Sequence, residues 1–153
     1  MNSETRMGLL NLHDAFLNAA LMEREKWKAE VDPDPNRFHI SDHGRFERAW
    51  VTYLYVLVEA WNSAQMAPVR EYVSSVVSVH ALQELLAAGK RKGHLRQMRE
   101  VRNYMCHRDK RKYWDDGRLA VCGQLEYHVK LHAAFSTVLL AAMRAGNDQG
   151  AGC

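Results

Sequence analysis

Within the six residues Arg102-Asn103-Tyr104-Met105-Cys106-His107, the chain places a guanidinium, a carboxamide and an imidazole. Together these groups suit metal-independent cleavage of RNA. The ribose 2′-hydroxyl attacks the adjacent phosphodiester, so a protein must take a proton from that hydroxyl or give one to the departing 5′-oxygen. It must also steady the charge that gathers on the phosphoryl centre. A histidine, with a reference pKa of about 6.5, does either proton task near neutral pH. Arginine is planar and permanently charged, which suits two-point contact with phosphoryl oxygens. Asn103 lies one helical turn before His107, placed to hold an imidazole tautomer or a phosphate oxygen.

The charge around these residues is as informative as their types. Residues 89–112 carry ten cations, Lys90, Arg91, Lys92, Arg96, Arg99, Arg102, Arg108, Lys110, Arg111 and Lys112, against only Glu100 and Asp109. The whole chain is only +3, so this segment is +8 and everything else sums to −5. Cations concentrated in this way draw a phosphate backbone without reading its sequence. Arg96, Arg99, Arg108, Lys110, Arg111 and Lys112 are the candidate RNA-holding residues.

A helix must position them. Leu95, Met98, Val101 and Met105 recur at the helical period and predict one apolar side. Arg96, Arg99, Asn103 and His107 fall on the opposite side. Arg102 lies on a flank nearer the apolar stripe, where a long stem can reach round. Two structural roles compete with catalysis. Arg102 can pair with Glu100 or with a neighbouring helix, and His107 can act as a cation near its helix C-terminus, where positive charge is favoured.

Arg102-Asn103-x-x-x-His107, closing a basic amphipathic helix with another long helix after it, resembles the R-x4-6-H signature of the HEPN superfamily. Those are small all-helical proteins, many of them metal-independent ribonucleases. The resemblance implies an up-and-down bundle of four to five helices. It further implies a homodimer in which two motifs face each other across a cleft, with Arg102, Asn103 and His107 in the catalytic roles. A toxin or defence role follows from the same resemblance, with an antitoxin or nucleotidyltransferase as partner protein and no cofactor. One subgroup of the family has tyrosine two residues after the histidine; here that position is Asp109.

At 153 residues the chain has room for a proper core, and its composition (47% hydrophobic, 25% charged) is that of a globular protein. The expected layout is one helical domain over residues 1–145 and a flexible Gly-rich tail over 146–153. Three cysteines, Cys106, Cys122 and Cys153, lack C-x-x-C spacing, and the charged start MNSETR has no signal-peptide pattern. A cytoplasmic setting is expected, and no apolar run reaches the roughly 20 residues of a membrane span.

Ser3 is expected to cap a first helix reaching about Glu30, with Leu9, Leu12, Phe16, Ala20 and Trp27 facing inward. Val31–Gly44 reads as a loop, broken by two Asp-Pro steps. Asp42 is expected to cap a second helix from Arg45 to about Asn62, apolar nearly all round and therefore central. Glu59 interrupts it near its end and reads as a salt-bridge or rim residue, with a catalytic role as the competing reading. Pro68 opens a third helix that Gly89 ends, although the β-branched run VSSVVSV leaves a strand open. The last helix spans about Leu119 to Arg144. His39/His43 and His128/His132 have the four-residue spacing of helical metal pairs. The first pair falls in a loop, and the second has neither H-E-x-x-H nor an evident third ligand, so no metal is expected. The absence of E-x-x-H steps likewise disfavours a di-iron bundle. Three readings stay open: a metal-independent endoribonuclease, a non-catalytic HEPN-like subunit that holds RNA or a partner protein, or a helical bundle unrelated to that family.

Overall fold

The computed structural model describes residues 1–29, 41–106 and 124–150. Among them are six α-helices and no strand: α1 (Ser3–Lys28), α2 (Asp42–Asn62), α3 (Ala67–Val76), α4 (His80–Arg91), α5 (His94–Cys106) and α6 (Leu125–Gly150), with a 3-10 turn at Ala64–Met66. The all-helical class is as expected. No described helix is long and apolar enough to cross a membrane.

Each boundary has a local cause. The first cap is Asn2 rather than Ser3, its Oδ1 accepting from the Thr5 amide at 2.7 Å. For α2 the cap is Ser41 rather than Asp42, its Oγ accepting from the Gly44 amide at 3.1 Å. Both satisfy amides that a helix start leaves without partners. At the other end of α2, Arg70 Nη1 reaches back from α3 to the carbonyls of Trp61 and, at 2.8 Å, Ser63.

The expected single helix from Pro68 to Gly89 is two. Val77 is extended (φ −147°, ψ 147°), and α4 starts again at His80 with no side-chain cap. The β-branched run is where helix propensity is weakest, and the chain bends there without forming a strand. Gly89 does not end α4, which continues to Arg91. The chain reverses instead at Gly93, whose φ of 79° suits glycine. Gly89 serves a different purpose: a Cβ there would stand 2.0 Å from the Tyr127 hydroxyl of α6. Its missing side chain is the seat of that ring, which donates to the Leu85 carbonyl at 3.2 Å.

One core cluster draws on all six helices, with Leu9, Leu12 and Phe16 from α1, Trp50 and Leu54 from α2, Val73 from α3, Leu82 from α4, Met98 from α5 and Phe135 from α6. Helix α2 lies against both α1 and α5. It is central, though not buried all round: Tyr53 and Val56 reach solvent. Two inward expectations fail. Trp27 is 60% exposed, while its neighbour Lys26 is buried with its ammonium 4.8 Å from the Trp50 ring. Met105 is 40% exposed at the end of α5. Helix α6 is helical through Gly150, six residues past the expected end at Arg144.

Candidate functional site

Arg102 leaves the flank of α5 and meets α2. Its Nη2 donates to Glu59 Oε1 at 2.5 Å, and its Nη1 donates to Asn103 Oδ1 at 2.8 Å. The guanidinium carbon lies 5.7 Å from the centre of the Tyr55 ring. Its Nε is buried without a hydrogen-bond partner. Tyr55 and Glu59 are four apart on α2 and Arg99 and Arg102 three apart on α5, so each helix supplies two groups from one face. Burial raises the Tyr55 phenol above its ordinary value, and Glu59 adds to the shift against Arg99 and Arg102. That phenol therefore stays protonated, a hydrogen-bond donor at neutral pH.

The pairing settles one alternative. Arg102 does not pair with Glu100, which faces Arg96 at 3.8 Å; it takes the neighbouring helix's carboxylate. Glu59 is a salt-bridge residue at a rim, its side chain 40% exposed against 24% for Arg102. Exposed pairs of this kind contribute roughly 0.2–1 kcal/mol, so the contact orients Arg102 more than it stabilises the fold. A guanidinium held on three sides keeps its plane fixed. Its remaining hydrogens can meet a phosphoryl oxygen without a search of rotamers.

The polar face expected for α5 is realised in its described residues, and its apolar side in the middle of the helix. Met98 and Val101 are buried, and Arg96, Arg99 and Asn103 are exposed. His107, Arg108, Lys110, Arg111 and Lys112 lie outside the described residues, as do His39, Cys122 and Cys153. Arg99, Arg102 and Asn103 are thus brought together with Tyr55 and Glu59, and Arg96 stands one turn before Arg99. Tyr55 was missed in the sequence. The signal was its four-residue spacing to the one carboxylate in the stretch from Trp50 to Trp61.

His128 and His132 belong to the interior. His128 sits edge-on to Trp50 with ring centres 6.0 Å apart, and neither of its nitrogens has a hydrogen-bond partner. Burial lowers its pKa to about 4, with His94 and Lys26 adding to the shift. His132 Nδ1 lies 2.7 Å from Glu23 Oε2 and 3.3 Å from Trp50 Nε1. One nitrogen cannot donate to the first and accept from the second. The shorter approach favours a proton on Nδ1, directed at Glu23. Burial still holds His132 below the ordinary histidine value, against the pull of Glu23. Among the described residues no group of three or more His, Cys, Asp or Glu side chains is arranged to hold a metal.

A second buried polar group went unforeseen. Lys26, His43, Glu47 and Arg48 are buried where α1 ends and α2 begins. Burial raises the Glu47 carboxyl above its usual range, with Lys26, His43 and Arg48 opposing the shift. Their types are ordinary surface types; only the packing of α1 on α2 puts them inside.

Compared with protein-family models, with curated proteins and with solved structures, the chain finds no match in any of the three.

Proposed function

We propose that the protein is a metal-independent endoribonuclease, acting through 2′-hydroxyl attack at a site built on Arg102, Asn103 and His107. The observation that carries this proposal is the hold on Arg102: a guanidinium fixed between Tyr55, Glu59 and Asn103 at a solvent-reaching rim, with Arg99 beside it. In this mechanism Arg102 and Arg99 stabilise the pentacoordinate phosphoryl group, and His107 gives a proton to the 5′-oxygen as it leaves. The exposed cations of α5 gather the backbone. The R-N-x-x-x-H pattern adds the expectation of a homodimer with two such sites facing one cleft. Val56 and Met105, each one turn from a site residue and each exposed, are apolar surface that such a dimer would cover. An antitoxin or nucleotidyltransferase partner belongs to the same proposal.

One observation favours the non-catalytic alternative: Glu59 already neutralises Arg102, as it would in a subunit that only holds RNA through its outer cations. Purified protein is incubated with RNA in EDTA, beside Arg102→Ala and His107→Ala variants checked for fold and oligomeric state. The expected result is cleavage to 2′,3′-cyclic phosphate and 5′-hydroxyl ends. Each variant is expected to lose about 10²-fold or more, the usual cost of a transition-state donor or a proton-transfer group. RNA binding without cleavage, unchanged by His107→Ala, selects the holding subunit.

A further inference from the structure

We propose that Glu59 is a catalytic residue of the Arg102 site, the base that takes the proton from the attacking 2′-hydroxyl. This inference rests on the ribonuclease proposal above. It starts from where the carboxylate is. From Trp50 to Trp61, α2 has no other charged residue, and Glu59 stands at the rim of that stretch. A carboxylate with only a structural purpose gains little there, since an exposed pair contributes at most about 1 kcal/mol.

The geometry places it beside a bound phosphate. Arg102 Nη2 carries two hydrogens, and one is directed at Glu59 Oε1. The other, with the free hydrogen of Nη1, is left for a phosphoryl oxygen. Two acceptors sharing one nitrogen lie about 4–5 Å apart, given hydrogen bonds of about 3 Å each. The 2′-oxygen of an attacking ribose stands about 3 Å from the phosphorus before bond formation. These spacings leave room for the 2′-hydroxyl of a phosphate held by Arg102 to approach Oε2, the oxygen that Arg102 does not use. Among the described residues, Arg102 of α5 meets Glu59 directly, and Tyr55 on the same helix feels Glu59, Arg99 and Arg102 together. Two cations and a protonated phenol thus share this rim with the carboxylate.

The step balances. The 2′-hydroxyl proton passes to Glu59 Oε2 as the O2′–P bond forms. The P–O5′ bond breaks, and the departing 5′-oxygen takes a proton from His107. The products are a 2′,3′-cyclic phosphate and a 5′-hydroxyl, with no water consumed; Glu59 then returns its proton to solvent and the acid regains one, so the net proton count is zero.

The test is RNA cleavage in EDTA at neutral pH by the wild type, Glu59→Gln and Glu59→Asp, each checked for fold by circular dichroism, with kcat and RNA affinity read separately. Glu59→Gln is expected to lower the maximal rate by about 10²–10⁴-fold. RNA affinity should hold or tighten, because the guanidinium loses a competing anion. Glu59→Asp, which keeps the carboxylate and guards against a folding failure, should be slower than wild type but recover much of the rate that Glu59→Gln loses. A Glu59→Gln variant that keeps the rate reduces Glu59 to a salt bridge and overturns the proposal, as does Glu59→Asp falling as far as Glu59→Gln. A faster variant also overturns it, because Glu59 would then be restraining Arg102. Failure of the wild type to cut is a separate result: it removes the ribonuclease proposal itself, and the role of Glu59 with it.

Discussion

His128 carries the clearest consequence at the scale of one residue. Its ring is 2% exposed among Trp50, Tyr127 and Lys26, with no partner for either nitrogen. The folded state therefore holds it neutral, at a pKa of about 4 against 6.5 when exposed. Because the folded pKa lies below the unfolded one, its contribution to stability is complete above pH 6.5. It is lost as the pH falls toward 4. Between pH 7 and 4.5 that loss is about 2 kcal/mol at 1.36 kcal/mol per unit. Urea denaturation at the two pH values should show His128→Leu losing less stability on acidification than the wild type, by about that amount. Equal losses would mean that the ring finds a partner for its proton in the fold. Its spacing to His132 resembled a metal pair, but spacing is blind to depth: the same four-residue step serves a surface ligand and a core imidazole equally.

At the scale of the helices, two glycines divide the work that one seemed to do. Gly93 turns the chain from α4 into α5 at positive φ, with open space where a Cβ would go. Gly89 sits inside α4 and gives room to the Tyr127 ring of α6. Burial pushes that phenol up to about 12, so it remains a donor to Leu85 at any working pH. Gly93→Ala should cost about 1 kcal/mol from backbone strain alone, with Gly93→Asn milder. Gly89→Ala gains helix propensity yet should destabilise by about 1–3 kcal/mol, because the ring it meets is packed and bonded. Urea midpoints of the three variants check the order. The signature Gly-after-apolar-run that suggested a helix end at Gly89 is local, whereas its cause lies on α6, some 40 residues later. The break at Val77 had a local cause in the β-branched run, which had left a strand open and instead interrupts the helix.

Across the whole molecule the charge is unevenly divided, with +8 over residues 89–112 and −5 elsewhere. The exposed Arg96 and Arg99 of α5 put part of that charge on the same helix as Arg102. If RNA lies along this face, binding weakens with salt by a slope of about 0.7 for each phosphate neutralised on a single strand. Arg96→Ala and Arg99→Ala should each reduce the slope by about that amount. Lys28→Ala, at the end of α1 and paired with Glu25 at 3.0 Å, should leave it unchanged. Filter binding from 50 to 300 mM salt measures it. An unchanged slope in the arginine variants would place the RNA elsewhere or nowhere.

The all-helical class, the central place of α2 and the basic helix with its Arg-Asn pair were determined by the sequence alone. Helical periodicity and charge are properties of neighbours three and four apart, and a linear pattern contains them. What only the tertiary structure decided are the meetings between helices. Glu59 finds Arg102 across 43 positions, Tyr127 finds the space at Gly89, and Trp50 packs between the two histidines of α6. Lys26 and Glu47 go inside while Trp27 stays out. Side-chain type cannot foretell these, because burial follows from which helix packs on which face, a choice made by the summed contacts of the core and not by any one residue's preference.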